Sequence, residues 1–253
     1  MLRAVRRLVA SLLLGLSLLG ATPASGDEEP GPRRGDVVTV EVDGDRPAFV
    51  VHGAPGDGRV LVYLHGRCGD PHAGIRAFAE EVSAWGTLVS VQGDLPCPDR
   101  KGRVRWSADV DRAARRIDAA IAAVARQRKH PLDAAGRTLI GYSEGALRAE
   151  SIAKRHPDVY PRAVLLASPR APEGSSFTRS SRVALVMGQL DVQAEMRAGD
   201  ESLARAGVEH RLFTLAGARH GTYGTDAKRA MAELFAWLYA SEDSAQTRST
   251  RRE

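Results

Sequence analysis

The chain has 253 residues, 43% of them hydrophobic and 26% charged, a composition ordinary for one globular α/β domain with short appendages, and long enough to bury a large core. Its 36 basic residues outnumber the 31 acidic ones for a net charge of +5, but the arginines are scattered singly among acids and lack the clustering of a nucleic-acid footprint. Asparagine is absent, which excludes an N-glycosylation sequon.

Arg3, Arg6 and Arg7 precede an apolar run from Leu8 to Leu19, followed by small residues from Gly20 to Gly26. Basic, apolar and small-residue regions in that order describe a secretory signal peptide over residues 1–25. The run is shorter than the ~20 residues of a membrane span, so an uncleaved anchor or interfacial helix is the alternative rather than the main reading. Arg6-Arg7 fits a twin-arginine signal weakly, and no cysteine follows to carry a lipid. The expected location is periplasmic or secreted. Cys68 and Cys97, the two cysteines, are then expected to pair, because exported thiols rarely stay free. The competing idea of a catalytic Cys68 lacks the local context described below for a serine.

Residues 26–36 read as an unstructured linker. Val37–Val42 and Pro47–Val51 flank an Asp43-Gly44 turn and predict a β-hairpin. Val60–Leu64 is a continuous apolar run suited to a strand buried on both faces. A helix is expected over Pro71–Trp85 with Asp70 as N-cap and Ile75, Phe78, Ala79 and Val82 inward. Leu88–Val91 is a strand, and Ser107–Arg128 a helix with Val110, Ala114, Ile117, Ile121 and Val124 on one stripe. Thr138–Ile140 is a strand leading into a helix that Pro157 stops after His156. Strands Ala163–Ala167 and Val183–Val186 follow, then a helix Val192–Ala206, a strand His210–Leu215 and a helix Asp226–Tyr239. Residues 241–253 read as a polar tail. Strands alternating with helices predict a mostly parallel sheet of about eight strands, covered on both faces, with an antiparallel N-terminal edge, as one domain over 37–240. Only Ser168–Arg182 separates the sixth and seventh strands, and its Pro, Gly and Ser content leaves no helical lid, so an open site is expected.

Chemistry points to Gly141-Tyr142-Ser143-Glu144-Gly145. A strand enters this G-x-S-x-G and a helix leaves it, the layout of a turn that exposes a serine Oγ. Gly141 and Gly145 have no Cβ, so strand and helix can approach while Ser143 takes a strained conformation. A serine hydroxyl needs a base, and the base needs an acid to fix its tautomer. Asp191 follows the seventh strand and His220 the eighth, which sets Ser, Asp and His on successive strand ends. Asp191 also reads as an N-cap for the helix beginning at Val192. Asp94, after the fourth strand, is a competing acid placed too far from His220. His65 reads as a structural residue, and the Glu144 side chain is expected to face the pocket and disfavour anionic substrates.

With these residues in view, the segment 37–240 resembles the α/β-hydrolase superfamily, in particular its small, lidless esterase and dienelactone-hydrolase-like members. The resemblance implies Ser143 as nucleophile, Asp191 as acid and His220 as base. It also implies an oxyanion hole at Leu64-His65-Gly66-Arg67-Cys68, with the backbone N–H of Glu144 as one donor and that of Arg67, or alternatively Cys68, as the other. Dienelactone hydrolases proper carry cysteine at the elbow, so Ser143 points to the esterases. The expected function is exported hydrolysis of carboxylic esters. A peptidase or acyltransferase of the same mechanism, or a non-catalytic binding protein on the same scaffold, is the alternative. The chemistry calls for no metal or organic cofactor, and the expected partner is a small ester rather than nucleic acid or membrane. The base must be neutral, so activity is expected to fall in mild acid.

Overall fold

The computed structural model describes residues 33–128, 130–133 and 135–249. The expected signal peptide, linker residues 26–32 and tail residues 250–253 lie outside these. Linker residues 33–36 instead form a turn, with the Asp36 N–H donating to the Arg33 carbonyl at 3.0 Å and the Arg34 side chain reaching Ser83 at 3.2 Å.

The N-terminal hairpin pairs β1 (Val37–Val40) with β2 (Ala48–Val51), and β2 adds antiparallel to β4 (Thr87–Val91). β4 lies parallel to β3 (Val60–Leu64), which lies parallel to β7 (Thr138–Tyr142). Then follow β8 (Arg162–Leu166), β9 (Arg182–Gly188) and β10 (Glu209–Leu215), all parallel. The sheet has eight strands in the order β1-β2-β4-β3-β7-β8-β9-β10. The chain moves outward from β3 to β4 and then crosses back to β7. A crevice therefore opens beyond the carboxyl ends of β3 and β7, where ligands of open α/β sheets bind.

Period-two alternation sends each strand's side chains to two cores. On one face Val60, Val62 and Leu64 pack with residues of α3 (Val110–Gln127) and α4 (Glu144–Arg155). On the other, Leu61 and Tyr63 pack with Ile75, Phe78, Met231 and Leu234. α5 (Ala194–Ala206) joins the first layer and α6 (Ala227–Ser249) the second. No described helix is long and apolar enough to cross a membrane.

Four boundaries differ from expectation. The helix expected over 71–85 is two short ones, α1 (Pro71–Arg76) and α2 (Ala79–Ser83). Phe78 breaks it with φ −144°, and its fully buried ring packs edge-on to Tyr63 and Tyr223. α3 starts at Val110 rather than Ser107 because the Asp109 carboxylate caps it, accepting from the Arg112 N–H. α6 runs on to Ser249, into the stretch expected to be a polar tail. The last difference matters most for the site. Between β4 and α3 the chain folds into an antiparallel ribbon, β5 (Leu95–Pro96) with β6 (Val104–Arg105), which the sequence pattern did not announce. Between β8 and β9 the chain makes a single 3-10 turn, Gly174–Ser176.

Candidate active site

Ser143 stands between the end of β7 and the start of α4, at φ 53° and ψ −118°. This is a costly backbone conformation for a residue with a Cβ. Packing holds it there. A Cβ on Gly145 would lie 2.0 Å from the Leu64 carbonyl oxygen, and one on Gly141 2.4 Å from the Gly145 oxygen. The helix is thus wedged against β3 as closely as backbone allows, and the Ser143 N–H is anchored to the Leu166 carbonyl at 2.8 Å.

Three residues scattered over the second half of the chain meet here. His220 Nε2 lies 3.1 Å from Ser143 Oγ, and its Nδ1 lies 2.9 Å from Asp191 Oδ2. A carboxylate can only accept, so Nδ1 carries the hydrogen and Nε2 presents its lone pair to the serine. The Asp191 side chain is 9% exposed and that of His220 is 52% exposed, an arrangement with a shielded charge behind an accessible imidazole. The loops carrying them are laced together: the Gln189 N–H donates to the Leu215 carbonyl and the Leu190 N–H to that of Ala218, both at 2.9 Å. Asp191 is not a helix N-cap, because α5 begins at Ala194 behind Gln193. Its Oδ1 accepts instead from the Val192 N–H at 2.7 Å.

Opposite the serine runs the loop after β3. A Cβ on Gly66 would sit 3.2 Å from the Ser143 Cβ, so this loop presses on the nucleophile. The backbone N–H groups of Arg67 and Glu144 have no hydrogen-bond partner among the described residues. Cys68 is ruled out as a donor, because its N–H is engaged by the Val104 carbonyl at 3.0 Å. Cys68 also takes a left-handed φ of 54° and forms a disulfide with Cys97. The bridge ties the loop to the β5–β6 ribbon.

His65 completes that attachment. Its ring is buried; Nδ1 lies 2.7 Å from the Gly66 carbonyl, and Nε2 accepts from the Gly93 N–H at 2.8 Å. Trp106 Nε1 donates to the His65 carbonyl at 2.8 Å. Only the neutral ring satisfies both contacts, and burial depresses its pKa from 6.5 to about 4. A folded pKa below the unfolded one means that the unfolded chain binds the extra proton first. Stability is therefore complete above pH 6.5 and is lost as pH falls toward 4, by roughly 3 kcal/mol across the window. Urea unfolding at pH 7 and pH 4.5 checks this. A His65→Gln variant should show a visibly shallower loss, and an equal slope in both proteins would remove His65 as the cause.

Asp94, the competing acid, faces away from this constellation: it accepts from the Ser107 N–H at 2.8 Å and pairs with Arg112. Glu144 departs from expectation too. Its carboxylate accepts from the Trp106 N–H at 3.2 Å and is not among the residues lining the cavity beside Ser143.

No family model matches the chain, and no curated protein matches it by sequence. Solved structures do match. A carboxylesterase from Mesorhizobium loti superposes with a TM-score of 0.58 at 20% identity, over 78% of this chain and 98% of that one. The Bacillus cereus carboxylesterase gives 0.56 at 20% identity, over 76% and 93%. A protein described as a predicted CIB-like hydrolase from Thermoplasma acidophilum gives 0.59 at 16% identity, over 80% and 97%. This is the α/β-hydrolase fold. At these identities the likeness carries the architecture, and the chemistry rests on the side chains themselves.

Within this α/β-hydrolase framework several site residues carried no readable signal. Tyr142 accepts from the Gly221 N–H at 2.5 Å and its ring lies 5.6 Å from that of His220, so it pins the loop bearing the imidazole. Tyr63 and Tyr223 join hydroxyl to hydroxyl at 2.9 Å under the cavity, and burial raises both phenol pKa values, keeping them neutral. Tyr142 stood inside the motif, but nothing in one sequence says which backbone group its hydroxyl meets.

Proposed function

We propose that this chain is an exported serine hydrolase that cleaves carboxylic esters through an acyl-enzyme on Ser143. The observation carrying the reading is the unbroken hydrogen-bond line from Ser143 Oγ through His220 to Asp191, with heavy-atom distances of 3.1 and 2.9 Å. Ser143 Oγ attacks the acyl carbon as His220 Nε2 takes its proton, and Asp191 stabilises the imidazolium that forms. The N–H groups of Glu144 and Arg67 receive the developing oxyanion, each such donor contributing roughly 3–4 kcal/mol to transition-state stabilisation. Collapse breaks the ester C–O bond, and the imidazolium returns its proton to the departing alkoxide. Water, deprotonated by His220, then attacks the acyl-enzyme and releases the acid. Export is supported by the basic, apolar and small-residue N-terminus and by the Cys68–Cys97 bridge, a bond that persists in oxidising compartments.

A fluorophosphonate probe separates an enzyme from a binding protein on the same scaffold. The native protein should label and Ser143→Ala should not. Equal labelling of the two, or labelling of neither, overturns the reading.

A further inference from the structure

The cavity beside Ser143 measures about 610 Å³. Its composition is unusual for a hole meant to hold an acyl chain: no Leu, Ile, Val, Met or Phe lines it. Its apolar surface comes instead from the rings of Tyr63, Tyr142 and Tyr223 and from Ala73. A long alkyl group would find little aliphatic surface there, whereas ligand pockets for apolar groups are lined mainly by such side chains.

The wall facing the tyrosines is charged. Arg67 comes from the loop after β3, and Arg100 and Arg103 from the disulfide-tethered ribbon. Arg103 is neutralised by Asp70 at 2.8 Å. Arg67 and Arg100 are exposed and have no ion-pair partner among the described residues. The remaining acid in the lining is Asp99, next to Arg100 and likewise without an ion-pair partner. Two unpaired guanidiniums against one carboxylate leave a single net positive charge, which suits a monoanionic carboxylate better than a doubly charged phosphate. Guanidinium groups bind carboxylates with two parallel hydrogen bonds, so the match is one of shape as well as charge. The Glu144 carboxylate, which would have opposed an anion, is tethered to the Trp106 N–H away from the cavity lining.

We propose that the site takes carboxylic esters that bear a second, ionised carboxylate, held by Arg100 with Arg67 beside it, while the tyrosine rings contact the connecting carbons. The inference rests on the ester-hydrolase reading above and deepens it. The ribbon that carries Arg100 is then a specificity element as well as a brace for the loop after β3.

The test uses two matched pairs of esters and the full chain. Mono-4-nitrophenyl adipate and its methyl ester differ by a charge on the acyl side. Acetoxybenzoate and its methyl ester, both para, differ by a charge on the alcohol side. At low ionic strength, at least one pair should show a kcat/KM about tenfold higher for the anionic member. Arg100→Gln should lower that ratio severalfold, and so should 0.5 M sodium chloride, which screens exposed charges. A ratio at or below one in both pairs overturns the proposal, as does a ratio that Arg100→Gln leaves unchanged. If the native protein fails to cleave even the neutral esters in a Ser143-dependent way, the hydrolase reading itself has failed. Cleavage of the neutral members without anionic preference sinks this inference alone.

Discussion

Replacing Ser143 or His220 with alanine is expected to lower kcat for ester hydrolysis by a factor on the order of 10⁶, and Asp191→Asn by about 10⁴. The three residues act as a unit: without the imidazole the hydroxyl is a poor nucleophile, and without the hydroxyl the imidazole has nothing to deprotonate. A Ser143→Ala/His220→Ala double variant should therefore be no slower than either single one. Asp191 does less on its own, since it orients and stabilises a group that can still work, less often, in the wrong tautomer. Residual turnover above the uncatalysed rate should remain, because the amides of Glu144 and Arg67 survive all of these changes. The pocket is open and His220 is half exposed, so neither alanine should perturb folding much. Initial-rate kinetics on a neutral nitrophenyl ester, with circular dichroism to verify the fold, decides the matter. A Ser143→Ala protein that keeps a tenth of native kcat would place the chemistry elsewhere.

Removing the Cys68–Cys97 bridge, with serine at both positions, should cost about 3–4 kcal/mol of unfolding free energy. The figure follows from a separation of 29 residues, whose closure the bridge imposes on the unfolded chain. A second consequence is local. Cys68 immediately follows Arg67, whose N–H is the proposed oxyanion donor, and the bridge is one of the links holding that loop to the ribbon. The Cys68 N–H bond to Val104 and the Trp106 bond to the His65 carbonyl remain, so the loop should loosen rather than unfold. Loosening an oxyanion donor removes an interaction made mainly in the transition state, so kcat should fall while KM moves little. Urea denaturation and steady-state kinetics on the double variant give both readouts. A stability loss under about 1 kcal/mol would show that the unfolded chain is already restricted without the crosslink.

Much of this architecture is written in local patterns. The apolar run Val60–Leu64 marks a doubly covered strand because burial on both faces demands it, and the observed burial agrees along its whole length. The strand–glycine–serine–glycine–helix layout predicted the position of the elbow, since close approach of backbones excludes a Cβ at Gly141 and Gly145. The order of Ser143, Asp191 and His220 on successive strand ends was legible for the same reason: it depends on the chain's sequence of elements alone.

What was not legible depended on contacts between distant segments. The break at Phe78 answers to Tyr63 and Tyr223, and the true partner of Glu144 is a backbone group in a loop the pattern left blank. The β5–β6 ribbon has strands too short to show a period, so only its pairing and its disulfide define it. The amino-acid sequence by itself determined the layered fold and which residue types stand at the strand ends, because periodicity and glycine sterics act over a few residues. The tertiary structure alone decided that Nε2 reaches Oγ, that Cys68 is engaged and Arg67 is not, and that arginines face the serine. Those are distances between segments far apart in the chain, set by the packing of the whole sheet.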